Sequence, residues 1–393
     1  MRILTFSTLF PHAGQPVHGI FVAERLRHLV ASGGLESQVV APVPWFPIAH
    51  PHLNPFVHQA LAAPEQERLH GIEVHHPRYF LPPKIGMTAA PLLLALGTAP
   101  TLNRLIAQGF DFDLIDAHYF YPDGIAAWLL GRHFGKPVVI TARGSDLNQI
   151  PAHRLPGWMI RRVAERADGV ITVSAALKRV LTGMGIADEK VTVLRNGVDL
   201  ERFQPVARDA VRARLGWQSW TLVSVGHLIE RKGHDLIIRA LPELPGIQLA
   251  IIGDGPLKER LRQLARELGV DGRVQLLGGV PQAELKAYYA AADALVLASN
   301  REGWANVLLE AMACGTRVAA TNVWGAPEVV TAPEAGELIE TRTPAAIAAG
   351  VRRLLARPAD PLATRRHAER FSWEATTQGQ LRLFNEILTR KRG

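Results

Sequence analysis

Apolar runs of four to six residues alternate with longer stretches in which apolar positions recur every three or four residues, and this alternation happens twice along the chain. The short runs suit strands buried on both faces and the longer stretches suit helices laid over them, so the order predicts parallel sheets flanked by helices. In the first half RILTFS at 2–7, QVVAPV at 38–43, LIDAH at 114–118, PVVITA at 137–142 and GVITVS at 169–174 read as strands. FVAERLRHLVASG at 21–33 and GIAAWLLGRHFG at 124–135 read as helices that stop at glycine. In the second half TLVSVG, QLAIIG, VQLLGG, ALVLAS and RVAAT are the strands, and DLIIRALPEL, PLKERLRQLARELG, AELKAYYAAA and NVLLEAMACG the helices. Between the halves Asn196-Gly197 gives a turn and Pro205 ends regular structure, which places a junction near 195–205. Two such lobes are expected to face each other, with ligands beyond the carboxyl ends of the strands in a shared cleft. Residues that follow strands therefore carry most of the functional weight.

The remaining features narrow this picture. The stretch Pro91 to Ala107 is apolar, but Gly97 and Pro100 are expected to break it and Arg104 to charge it, short of the roughly 20 residues a bilayer requires. The opening residues lack a basic run and an extended apolar core, so they read as a strand and not as a secretory leader. One cysteine, Cys314, excludes an intrachain disulfide and a thiolate metal cage, which fits the cytoplasm. Lys and Arg exceed Asp and Glu by 44 − 36 = 8, with basic clusters at 351–393 and around Arg161, Arg162, Arg166 and Lys178, near Trp158 and Met159. Such clusters attract anions of many kinds, including lipid headgroups, so charge alone says only that a partner is negative. No nucleic-acid module accompanies them, and no nucleic-acid partner is expected.

The densest chemical signal runs from Ser299 to Glu310, leaving the strand ALVLAS and entering a helix. Glu302 falls in the connecting loop and Glu310 two turns along the helix. Backbone N–H groups around Asn306, Val307 and Leu308 are expected to open at the helix N-terminus, a favourable place for an oxygen-rich anion. Carboxylates on either side can accept from neutral hydroxyls. A nucleotide sugar has that pattern, although two Glu at this spacing also suit an ordinary exposed helix. A second element, Val225 to Gly233, sets Arg231 and Lys232 before a glycine, where two fixed cations could meet a departing diphosphate without a metal. His118 and Asp146 also follow strands; Asp146 could bind an acceptor, order the cleft, or cap a helix.

Taken together, E-G-x₅-L-E-A-M-A-C-G from Glu302, the upstream Lys232-Gly233, I-I-G-D-G-P at 251–256 and Ala291-Ala292-Asp293 resemble the donor-binding lobe of glycosyltransferase family 4. The APVP string after the second strand is similar to the branch serving teichuronic acid and capsular or exopolysaccharide synthesis. The resemblance covers nearly the whole chain, down to FSWE at 371–374. It implies a GT-B fold, with a Rossmann-like acceptor domain at 1–200, a nucleotide-sugar domain at 201–370, and a helix at 371–393 that crosses back to the first. It implies a retaining, metal-independent hexosyl transfer from a nucleoside-diphosphate sugar, with no cofactor, to a glycan or polyprenyl-linked glycan. The place would be the cytoplasm, or the inner membrane face if an anionic surface binds the basic segment.

By the same resemblance Glu302 would lie near the anomeric centre, Glu310 on the ribose, Arg231 and Lys232 on the diphosphate, and Val280 at the base edge through its backbone. His118 would hydrogen-bond the donor sugar, and Gly19 would let backbone approach the diphosphate. His227 stands where many relatives carry Arg, and Arg231 would compensate. Acceptor choice would rest on first-lobe loops such as 44–90. The rival readings are an epimerase or hydrolase of the same fold and a non-catalytic nucleotide-sugar-binding subunit. Asp111-Phe112-Asp113 spells a metal-binding D-x-D but precedes a strand, and His50, His52, His75 and His76 fit no regular ligand spacing, so no metal site is expected.

Overall fold

The computed structural model describes residues 1–46, 62–82 and 86–392. The chain divides into two compact units, Met1–Arg195 with Glu374–Gly393, and Asn196–Trp373. In the first unit the strands are β1 (Arg2–Phe6), β2 (Glu36–Val40), β3 (Val43–Trp45), β4 (Gln66–Leu69), β5 (Ile72–His75), β6 (Arg78–Phe80), β7 (Leu114–His118), β8 (Val138–Ala142), β9 (Gly169–Thr172) and β10 (Val191–Val193). Eight of them form one sheet in the order β10-β9-β8-β7-β1-β2-β5-β4, and β3 pairs with β6. Only β4 runs antiparallel, at the edge. The central strands β7, β8 and β9 are buried at every position, which is why they read as mostly apolar runs; Asp116 and His118 of β7 are the titratable exceptions.

The second unit holds β11 (Thr221–Val225), β12 (Gln248–Ile252), β13 (Val274–Gly278), β14 (Ala294–Leu297), β15 (Val318–Thr321) and β16 (Gly336–Ile339). They form a parallel sheet in the order β13-β12-β11-β14-β15-β16. In each unit the order reverses beside the first strand, at β1/β7 and at β11/β14. That reversal opens a crevice beyond the carboxyl ends of the strands.

One departure from the sequence reading has a clear cause. Gly86–Ala107 is one 22-residue helix with Pro91 and Pro100 inside it. Proline costs helix stability, but buried Leu94, Leu102 and Leu105 hold this helix by tertiary packing, which outweighs local propensity. No helix among the described residues is long and apolar enough to cross a membrane. The last helix, Trp373–Arg392, belongs mostly to the first unit, where Phe384 and Ile387 join Ile3, Leu114, Val139 and Ile171 in one core.

Candidate active site

In the second unit β11 and β14 are adjacent, with Leu222 opposite Ala294 and Val223 opposite Leu295, so the loops after them emerge side by side. Gly233 has φ +68, and a Cβ there would lie 2.2 Å from the Ala298 carbonyl oxygen. Only glycine lets the turn Glu230–Lys232 settle this closely on the loop after β14. The Asn300 N–H donates to the Arg231 carbonyl at 2.9 Å and fixes the contact.

This backbone contact brings the predicted cations onto the predicted carboxylate. Lys232 Nζ lies 2.6 Å from Glu302 Oε1, and Arg231 Nη1 lies 3.5 Å from Oε2. The Ser299 hydroxyl donates to Oε1 at 2.7 Å. Burial alone would raise the Glu302 pKa, but Lys232, Arg231 and Ser299 together outweigh it and hold the carboxyl below its ordinary value. The carboxylate is thus ionised at neutral pH. Two cations on one anion leave a surplus positive charge, and the Arg231 side chain is 31% exposed while Glu302 is buried. Ser299 has no role in the sequence reading; its position as the last residue of ALVLAS, three before Glu302, was the available signal.

Glu310 sits on the helix Asn306–Ala313, nearly buried, and accepts from the Tyr289 hydroxyl at 2.8 Å. Burial and the facing carboxylate push the Tyr289 phenol well above its ordinary pKa. The Asn306 side chain accepts from Asn196 at 3.3 Å. The helix begins at Ala305 without a side-chain cap. One expectation is corrected here: the Leu308 N–H is not open to an anion, because it donates to the Ala305 carbonyl at 3.1 Å in a tightened first turn. Val280 is half-buried in the loop after β13. His227 is exposed after β11.

In the first unit His118 ends β7 and is 1% exposed. Its Nε2 lies 3.2 Å from Asp116 Oδ2, and its Nδ1 lies 2.7 Å from Arg143 Nη2. Burial, more than the repulsion from Arg143, lowers its pKa to about 4, so the ring is neutral. Both nitrogens are engaged within the chain, and the ring would have to exchange a partner to reach a sugar. Gly19 caps the helix Ile20–Ala31 with φ +64, and a Cβ there would lie 2.2 Å from the Leu9 carbonyl group. The chain's own packing already demands glycine at that point.

Asp146 is corrected as an acceptor ligand. Its buried carboxylate accepts N–H groups from Phe120 at 2.7 Å, Arg143 at 3.0 Å and Gly144 at 2.6 Å. It therefore orders the loops after β7 and β8. Asp111 pairs with Lys136, and Asp113 accepts the Arg2 N–H at 2.8 Å, so the D-x-D serves the scaffold. His75 faces Gln38 at 3.0 Å, and His76 lies between the Ala41 carbonyl and Glu67, each at 2.9 Å. His50 and His52, and part of the 44–90 region, lie outside the described residues.

Comparison with known proteins agrees with this architecture. The family described as Glycosyltransferase Family 4 matches residues 20–202, and Glycosyl transferases group 1 matches residues 208–372. D-inositol 3-phosphate glycosyltransferase 1 of Catenulispora acidiphila is 30% identical over the whole of this chain and 97% of its own. The putative teichuronic acid biosynthesis glycosyltransferase TuaC of Bacillus subtilis is 29% identical over 83% of this chain and 82% of its own. Among solved structures, sucrose-phosphate synthase of Thermosynechococcus elongatus superposes with TM-score 0.79 at 21% identity, covering 99% of this chain and all of that one. Anabaena HepE in complex with UDP gives TM-score 0.73 at 20% identity, covering 98% and 100%. These two likenesses establish the GT-B fold; the family model and the full-length relative place the chain in glycosyltransferase family 4.

Proposed function

We propose that the chain transfers a hexosyl unit, with retention and without a metal, from a nucleoside-diphosphate sugar to a hydroxyl of a glycan or lipid-linked glycan in cell-surface polysaccharide synthesis. The observation that carries this reading is the triad of Lys232, Arg231 and Glu302 at the β11/β14 reversal, two cations held against one buried carboxylate. As the glycosidic C–O bond to the diphosphate breaks, negative charge grows on the phosphate oxygen, and fixed cations stabilise that charge more than the ground state. The acceptor hydroxyl enters on the same sugar face and its proton passes to the departing phosphate oxygen. Glu302 positions the cations and the sugar and forms no covalent bond; Glu310 takes the ribose hydroxyls and the Val280 backbone the base edge. The sugar nucleotide is substrate, and no cofactor is assigned. The second unit thus serves the donor and the first unit the acceptor. The names of the relatives support this: one is the putative teichuronic acid biosynthesis glycosyltransferase TuaC, and a Mycolicibacterium smegmatis relative of 32% identity is a GDP-mannose-dependent alpha-(1-6)-phosphatidylinositol monomannoside mannosyltransferase.

The test is transfer by the purified chain, after thermal-shift screening of UDP-, GDP- and ADP-sugars identifies the donor, since a bound ligand raises apparent stability. Lys232→Ala and Glu302→Ala are expected to lower turnover by about 10²–10³, as loss of a fixed transition-state donor does. Wild-type turnover in both variants would overturn the site. Isomerised or hydrolysed donor in the absence of acceptor would identify an epimerase or hydrolase instead, and binding without turnover a non-catalytic subunit.

We also propose that the first unit rests on an anionic membrane surface, on the inner face of the membrane. An apolar cavity of about 450 Å³ lies among Leu92, Trp128, Trp158, Met159 and Arg162, beside exposed Met87, Leu96 and Leu155. Arg161, Arg162 and Arg166 share one carboxylate, Glu165, which leaves a positive rim around apolar side chains. Sedimentation with phosphatidylglycerol vesicles should exceed that with phosphatidylcholine vesicles; equal partitioning would remove the electrostatic argument.

A further inference from the structure

Beneath His118 lies a buried polar chain that begins on the last helix. Arg25 Nε donates to Gln380 Oε1 at 2.7 Å, Gln380 Nε2 donates to Asp116 Oδ2 at 2.7 Å, and the same Asp116 oxygen faces His118 Nε2. All four of these side chains are 1% exposed or less. The far end of the chain is Arg143 against His118 Nδ1. Elementary hydrogen-bonding roles fix the direction of every link. A guanidinium only donates, so Gln380 must turn its oxygen toward Arg25 and its NH₂ toward Asp116. An ionised carboxylate only accepts, so His118 must carry its proton on Nε2. At the other end Arg143 can only donate, which requires an unprotonated Nδ1. Two guanidinium groups thus force one tautomer from opposite ends.

We infer that Gln380, supplied by the C-terminal helix, is a positioning residue that holds Asp116 so that His118 keeps its proton on Nε2 and presents Nδ1 as an acceptor. Resting on the reading above, this gives His118 a defined part within the first unit: its Nδ1, now faced by Arg143, is held as a hydrogen-bond acceptor. It also gives the last helix a task beyond packing. Arg25 secures the helix from the other side, with its Nη1 donating to the Leu194 carbonyl at 3.1 Å.

The experiment is a long-range ¹H–¹⁵N spectrum of the full chain with labelled histidine, in which His118→Gln identifies the His118 signals by their loss. The wild type should show a protonated Nε2 and an unprotonated Nδ1. Gln380→Glu keeps the bond to Arg25 but sets a second carboxylate against Asp116, so His118 should take a second proton and show both nitrogens protonated near neutral pH. Gln380→Leu frees Asp116 to move, so it should broaden the His118 signals and lower kcat by about tenfold, as loss of an orienting partner does, with donor KM changed less than about twofold. A wild-type ring protonated on Nδ1, or an unchanged kcat in a folded Gln380→Leu, would overturn the inference. The wild-type spectrum decides even where a variant does not fold. A chain that shows this tautomer but transfers no sugar would refute the proposed function and leave the hydrogen-bond chain standing.

Discussion

The two units set polar side chains at the same topological point, beyond the strands where the sheet order reverses, and fill it in opposite ways. Around Glu302 the groups are charged and in part exposed, with Arg231 and Lys232 free to trade the carboxylate for another anion. Around His118 the groups are buried and joined by hydrogen bonds through Asp116, Gln380 and Arg143. In the first arrangement only Arg231 reaches solvent to a sizeable degree, so its 3.5 Å pair with Glu302 is the more screened and the Lys232 pair the less. The second arrangement fixes geometry, because in a buried network a lost partner is costly. The same fold thus yields an exchangeable site in one unit and a rigid one in the other.

The largest effect that sharpens this contrast is structural. Asp146→Ala leaves the N–H groups of Phe120, Arg143 and Gly144 without their acceptor in a buried setting. At about 1–3 kcal/mol for each unsatisfied group, the loss should be about 3–9 kcal/mol and visible as a large fall in thermal midpoint. Glu302→Ala should instead abolish transfer while moving the midpoint far less. Equal destabilisation by the two variants would erase the distinction between a rigid and an exchangeable site.

A smaller effect separates the units by pH. Asp123 is buried and accepts the Thr8 N–H at 2.7 Å and the Thr8 hydroxyl at 2.9 Å. Burial outweighs these bonds and pushes its carboxyl up to about 7 from 3.8. The folded chain therefore keeps a proton that the unfolded chain has released, and stability falls as pH rises between those two values. Glu302 has the opposite sign: its lowered pKa contributes stability above the unfolded value of 4.5 that is lost as pH falls through the folded one. Asp123→Asn keeps both bonds to Thr8 and should flatten the fall in thermal midpoint between about pH 5 and pH 8, by on the order of 2–4 kcal/mol. An unchanged pH profile would show that Asp123 is ionised despite its burial.

What was legible in the sequence follows the same contrast. The strands buried on both faces, β7, β8, β9, β11, β12 and β14, are plain because burial demands mostly apolar runs, whereas β3 to β6 are three or four residues long, mostly polar or half-buried, and give no such signal. The approach of Arg231 and Lys232 to Glu302 was foreseeable, since loops from neighbouring strands must emerge together once the strand order is known. Gln380 and Arg25 were not foreseeable. Gln380 meets Asp116 across 264 residues and Arg25 meets Gln380 across 355, and no local spacing encodes a contact that only tertiary packing creates. The reading of Asp146 as an acceptor ligand failed for a related reason: a carboxylate after a strand looks the same in sequence whether it faces solvent or the backbone.

The smallest expected effect concerns the Asp111-Phe112-Asp113 sequence. Asp111 is 62% exposed and pairs with Lys136 at 2.6 Å, so the pair is screened by water and salt and worth about 0–1 kcal/mol. It lies ahead of β7, at the amino end of the strand whose carboxyl end carries His118. A residue at that end of a parallel sheet cannot share a ligand with groups at the other end, about five residues of extended chain away at roughly 3.3 Å each. Asp111→Ala should therefore leave thermal midpoint and transfer rate close to wild type, and added manganese or EDTA should make no difference to either protein. Loss of transfer in Asp111→Ala, restored by manganese, would move the chemistry to the wrong end of the sheet and dissolve the contrast between the two reversal points.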